Sequence, residues 1–138
     1  MNYKTIQDEV VRTLRIDLCD GTRCTDGDWG RTHAHPKKRR VCKWKQANSI
    51  QSTFTLFHEI GHIENNASWM RRAEEEYHAT TWAIDKCREY NIEVPEKTLT
   101  EYQEYINNTK DRGVRRGGNA YGSLDIIQYW KEKTNAKV

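Results

Sequence analysis

The sequence predicts an α+β fold, a mostly helical single domain with a small sheet. Three observations carry that expectation. Apolar residues recur three and four apart over most of the chain, as they do in helices buried on one face. Residues 31–44 instead read as two short strands around a proline turn. At 138 residues, the chain has the usual size of one domain, 1–138.

Taken in order, residues 3 to about 16 read as a helix, with Ile6, Val10, Val11 and Leu14 at helical spacing. Residues 19–30 are rich in Asp, Gly and Thr and read as loop or turn. Residues 31–35 and 40–44 form a candidate hairpin, with Pro36-Lys37-Lys38 as its turn. Helices follow over about 50–65 and 69–90. Pro95 ends that run, and 96–107 resumes it with Leu99, Tyr102, Tyr105 and Ile106 as the buried side. Residues 111–122 read as a glycine- and arginine-rich loop. A short helix over 123 to about 133 closes the chain, with Ser123 as N-cap.

Only 36% of residues are hydrophobic and 31% are charged, so the core is small for the length. Five Trp and seven Tyr compensate with large buried areas per residue. No apolar run approaches the roughly 18 residues of a membrane span. No signal peptide opens the chain. The expectation is a cytoplasmic protein with reduced thiols and no membrane partner.

His58-Glu59-Ile60-Gly61-His62 is the segment that names a chemistry. Two histidines four apart on a helix lie one turn apart on one face, so both can reach one metal ion. The adjacent Glu59 can act as general base toward a metal-activated water. Zinc suits the pattern, because it takes three protein ligands and keeps a fourth position open. Leu56, Ile60 and Ile63 form an apolar stripe about 160° from the histidines at 100° per residue. Gly61 costs roughly 1 kcal/mol relative to alanine in a helix interior. Its presence suggests close approach of another element, here expected to be the strand edge flanking the metal.

Glu74, Glu75 and Glu76 on the next helix are candidates for a third ligand. From Glu76, the positions three, four, seven and eleven onward are Ala79, Thr80, Ala83 and Cys87, an inward stripe with a carboxylate at its start. The stripe from Glu75 is mixed and that from Glu74 is solvated. Glu76 therefore ranks first, Glu75 second and His78 third. The plain alternative is a charged helix start, where acids favour the N-terminus.

The block from Thr53 to His62, followed by Glu76, Ala79, Trp82 and Ala83, resembles the ImmA/IrrE-type metallopeptidases, gluzincin-like proteins of phages and integrative elements. The resemblance covers about residues 30–95. Thr80 replaces the family's usual asparagine, and Ile92-Glu93-Val94-Pro95 stands where the family has a Leu-Leu-Met-Pro ending. The resemblance implies a small sheet, about three-stranded, packed beside the active-site helix. It implies one Zn²⁺ per chain held by His58, His62 and Glu76, with Glu59 as catalytic base. It also implies a protein substrate, in the family's best-known role a helix-turn-helix repressor.

Two further features are weighed beside this one. Cys19, Cys24, His33, His35 and Cys42 cluster in sequence and could bind a second metal. Their spacing favours the plainer reading of free thiols and a polar strand face. Either His33 or His35 could also point into the active-site cleft. Residues 37–45 hold six basic residues (Lys37, Lys38, Arg39, Arg40, Lys43 and Lys45) and no acid, in a chain of net charge +3. Such a run could contact nucleic acid or steer an acidic protein, but more often it is a solvated hairpin. The expected activity is zinc-dependent peptide-bond hydrolysis. His33, Tyr121 and Arg115 are candidates for contacting substrate or its oxyanion by residue type. The alternatives are a nucleic-acid- or regulator-binding module that keeps the peptidase fold with a structural or absent metal, and an interaction protein with a purely structural zinc.

Overall fold

Ser49 starts the helix around which the molecule is built. Its side chain accepts the Ser52 N–H at 3.1 Å, an N-cap that satisfies one orphan donor of the first turn. From there α2 (Ile50–Glu64) buries residues on nearly all sides, Phe54, Leu56, Phe57, Ile60 and Ile63 among them. A helix that buries so many large apolar side chains belongs inside a domain. In the computed structural model, which describes residues 1–22, 32–65, 70–115 and 123–135, α2 packs against α1, the sheet and, most extensively, α3.

The described elements run α1 (Tyr3–Leu14), β1 (Asp17–Leu18), β2 (His33–His35), a 3-10 turn (Pro36–Lys38), β3 (Arg40–Cys42), α2, α3 (Arg72–Glu89), α4 (Glu96–Arg115) and α5 (Ile126–Asn135). This is the expected α+β architecture, helical apart from one small sheet. The sheet order is β1-β3-β2. β2 and β3 form the expected antiparallel hairpin, with Ala34 opposite Val41. Arg39 closes the turn in the left-handed region at φ 49°. β1 runs parallel to β3, with Leu18 opposite Val41. It falls just ahead of the segment read as loop, and its two residues are too few to show a period.

Asn2 caps α1 by accepting the Thr5 N–H at 3.1 Å. The helix stops at Leu14, where Arg15 turns left-handed at φ 56°, so Ile16 lies beyond it. Gln7 is fully buried and ties α1 to α2. Its Nε2 donates to Thr53 Oγ1 at 2.8 Å and to the Ala47 carbonyl at 3.0 Å.

The expected start of the third helix at 69 lies outside the described residues. α4 corrects the expected loop at 111–115, because it runs on to Arg115. Buried Thr109 extends its inner stripe and bonds the Tyr105 carbonyl at 2.9 Å, so the helix continues past Ile106. α5 is capped by Asp125, whose Oδ1 accepts the Gln128 N–H at 3.0 Å, and not by Ser123. Gln103 of α4 docks this entry by accepting the Ile126 N–H at 2.7 Å and donating to the Leu124 carbonyl at 3.0 Å. One apolar cluster runs from Val10 through α2 to Ile84, Ile106 and Ile126, so helices and sheet share a core. Among the described residues, no helix is long and apolar enough to cross a membrane.

Candidate metal centre

One turn of α2 separates His58 from His62, and their rings lie 4.7 Å apart at 81°. They point away from the Leu56–Ile60–Ile63 stripe, as the helical phase requires, toward α3 and α4. Gly61 governs how near α3 comes. A Cβ at Gly61 would lie 2.5 Å from the Ala79 carbonyl oxygen, so only glycine permits this approach. The close neighbour is therefore helix α3 rather than the expected strand edge. Because the two backbones touch at Ala79, Glu76 one turn earlier on α3 faces both histidines.

Glu76 is buried, and its Oε2 lies 3.1 Å from His58 Nε2 and 3.2 Å from His62 Nε2. Glu59 Oε1 lies 3.4 Å from Nδ1, the other ring nitrogen of His58. Donor atoms of His58, Glu59 and His62 all fall within 4.8 Å of one another, so the group could hold a metal ion. The Glu76 contacts are shorter than that limit and meet the two Nε2 atoms directly. Glu76 thus offers the better third donor, and Glu59 stands beside it. Buried Thr80 satisfies its hydroxyl by donating to the Glu76 carbonyl at 2.7 Å.

Burial works against a charged His58, but Glu59 and Glu76 together outweigh it and raise its pKa to about 9. Burial likewise works to raise the Glu76 carboxyl, yet His58 and His62 hold it well below the usual carboxylate range. The site therefore carries a buried carboxylate against protonated imidazole, charges that a divalent cation can replace.

The triplet divides as the helical phase implies. Glu76 is buried, half-buried Glu75 lines the cavity rim, Glu74 pairs with Arg71 at 2.6 Å, and His78 is exposed. A cavity of about 820 Å³ opens over the cluster. One wall is the hairpin with Thr32, His33, Ala34 and Pro36, and the opposite wall is α4 with Glu101, Tyr102 and Tyr105. Of the two histidines considered for the cleft, His33 lines it and His35 does not.

Tyr102 and Arg72 are site residues that residue-type reasoning passed over. The Tyr102 ring packs 4.8 Å from the His58 ring, and burial pushes its hydroxyl up to about 12, so it stays a neutral phenol. Its signal was a hydroxyl within an otherwise apolar stripe, which needs a polar partner. Arg72 has a fainter one, its spacing four residues before Glu76.

Tyr121, Cys24 and the side chain of Arg115 lie outside the described residues. Cys19, His33, His35 and Cys42 form no group able to hold a metal among the described residues. Cys42 is disulfide-bonded, which corrects the expectation of a thiol there, whereas Cys19 is in no disulfide, as expected. That expectation followed from an assumed reducing compartment, and thiol count alone does not establish one. Cys87 is a buried thiol pushed up to about 12 by burial, and so inert. Two residues of the basic run are drawn into the fold, while Lys37, Lys38 and Lys45 are exposed. Arg39 donates to the Leu14 carbonyl at 2.8 Å and pairs with Glu64, while Arg40 pairs with Asp17 at 2.7 Å. No protein-family model, curated protein or solved structure matches the chain.

Proposed function

We propose that this chain is a zinc-dependent metallopeptidase of the ImmA/IrrE type, hydrolysing a peptide bond in a protein substrate. The observation that carries the reading is the convergence of His58 Nε2, His62 Nε2 and Glu76 Oε2, at 3.1 and 3.2 Å, beside Glu59 under an open cavity. Three donors about 2.0–2.1 Å from a tetrahedral zinc stand roughly 3.3 Å apart, so the spacing suits that ion. Two nitrogens and one carboxylate oxygen also suit zinc chemically, and three protein ligands leave a position for the reaction.

Zinc there would acidify a water and polarise the scissile carbonyl. The remaining work falls to the chain. Glu59 takes the water proton on its carboxylate and passes it to the leaving amine nitrogen. Tyr102, a neutral phenol, and His33 supply hydrogen-bond donors on the two cavity walls, where a carbonyl oxygen gaining charge needs them. Thr32, His33 and Ala34 line the cavity at the start of the hairpin. An extended substrate segment lying along this wall would run beside the metal site. A helix-turn-helix repressor as substrate rests on the family resemblance alone. The pairing of Arg39 and Arg40 within the fold takes two of the six basic residues out of the surface that the nucleic-acid-binding alternative would use.

The test is cleavage of a proteome-derived peptide library, read by mass spectrometry, with zinc-loaded wild type and Glu59→Gln. Wild type should give reproducible cuts. The variant should retain zinc and lose activity by about 10²-fold or more, the usual worth of a general base. Equal cutting by both proteins would contradict the assignment.

A further inference from the structure

The geometry points to Arg72 as a positioning residue that makes Glu76 a one-oxygen ligand, an inference that rests on the metal reading above. Glu76 has a single carboxylate with two oxygens. Oε2 faces the two imidazoles, and Oε1 meets the Arg72 Nε at 3.3 Å. Arg72 lies one turn earlier on α3, the i, i+4 spacing that sets the two side chains on one face. The same guanidinium reaches across to α4, with Nη2 3.4 Å from the Tyr105 hydroxyl. Anchored to Tyr105 through Nη2, the guanidinium keeps its Nε turned to Oε1, an anchorage that the single nitrogen of a lysine lacks.

With Oε1 engaged, rotation of the carboxylate about its stem is opposed, and only Oε2 stays turned toward His58 and His62. A buried acceptor that lost this partner would swing both oxygens toward the cation. The guanidinium charge also repels a divalent ion. The Arg72 side chain is 63% exposed, however, so solvent screens that repulsion and orientation is the larger effect. The same exposure means that Arg72 can be replaced without disturbing the core.

The experiment compares wild type, Arg72→Met and Arg72→Lys by zinc competition against a chromophoric chelator and by the visible spectrum of the cobalt(II) form. Wild type should bind one zinc and give an intense, tetrahedral-type cobalt band. Arg72→Met should keep the stoichiometry, change the affinity by about 10-fold or more and show a fainter band as a second carboxylate oxygen joins the ion. Arg72→Lys should stay close to Arg72→Met, because it restores the charge without the anchorage. Wild-type affinity and spectrum in Arg72→Met would overturn the inference. Full recovery in Arg72→Lys would overturn it too, leaving charge alone as the cause. A wild type that takes up no zinc would overturn the proposed function itself, a distinguishable failure.

Discussion

At the scale of the residue, His58 concentrates the chemistry. An imidazole buried beside Glu59 and Glu76 and under the Tyr102 ring keeps its proton to about pH 9. A metal ion must displace that proton, since only neutral imidazole ligates. Zinc affinity should therefore rise with pH up to about 9 and level off above it. At pH 8, binding should release about one proton per ion. Titration calorimetry in buffers of different ionisation enthalpy measures this, and a buffer-independent heat would contradict it. How much of the site the sequence showed depends on the residue. The histidine spacing and the phase from Glu76 to Cys87 were readable because helical geometry is fixed. Arg72 and Tyr102 were not readable as site residues. Their roles depend on how α3 and α4 meet α2, which no local spacing encodes.

At the scale of the element, Gly61 couples fold to site. In an isolated helix, exchanging glycine for alanine gains roughly 1 kcal/mol. Here the added methyl would sit 2.5 Å from the Ala79 carbonyl oxygen, and backbone cannot move aside as a flexible side chain can. Gly61→Ala should reverse the sign and destabilise the protein by about 1–3 kcal/mol, the usual cost of overpacking. Urea unfolding would show it as a lowered midpoint, while an unchanged or raised midpoint would contradict the close approach. The cost of Gly61 could be read from sequence, but not its partner, which is α3 and not a strand. Long periodic helices were likewise legible, whereas two-residue β1 was not. The cap of α5 at Asp125 rather than Ser123 turned on a shift of two positions, below what composition resolves.

At the scale of the whole molecule, α2 is at once the core's central helix and the bearer of the histidines. Leu56, Ile60 and Ile63 anchor it in the apolar cluster, while another side carries His58 and His62 under the cavity. Two charges of the hairpin's basic run hold the sheet, to α1 and α2 through Arg39 and to β1 through Arg40, while Lys37, Lys38 and Lys45 are exposed. Sequence could not show this, because Asp17 and Glu64 lie more than twenty residues from their partners. The central claim is that this architecture exists to hold one ion between α2 and α3. The most direct test is elemental analysis of purified, zinc-reconstituted wild type, His58→Ala and Glu76→Ala, each checked for folding by circular dichroism. The account predicts about one zinc per folded wild-type chain and its loss from both folded variants. A folded wild type without zinc, or zinc retained in both variants, would contradict it.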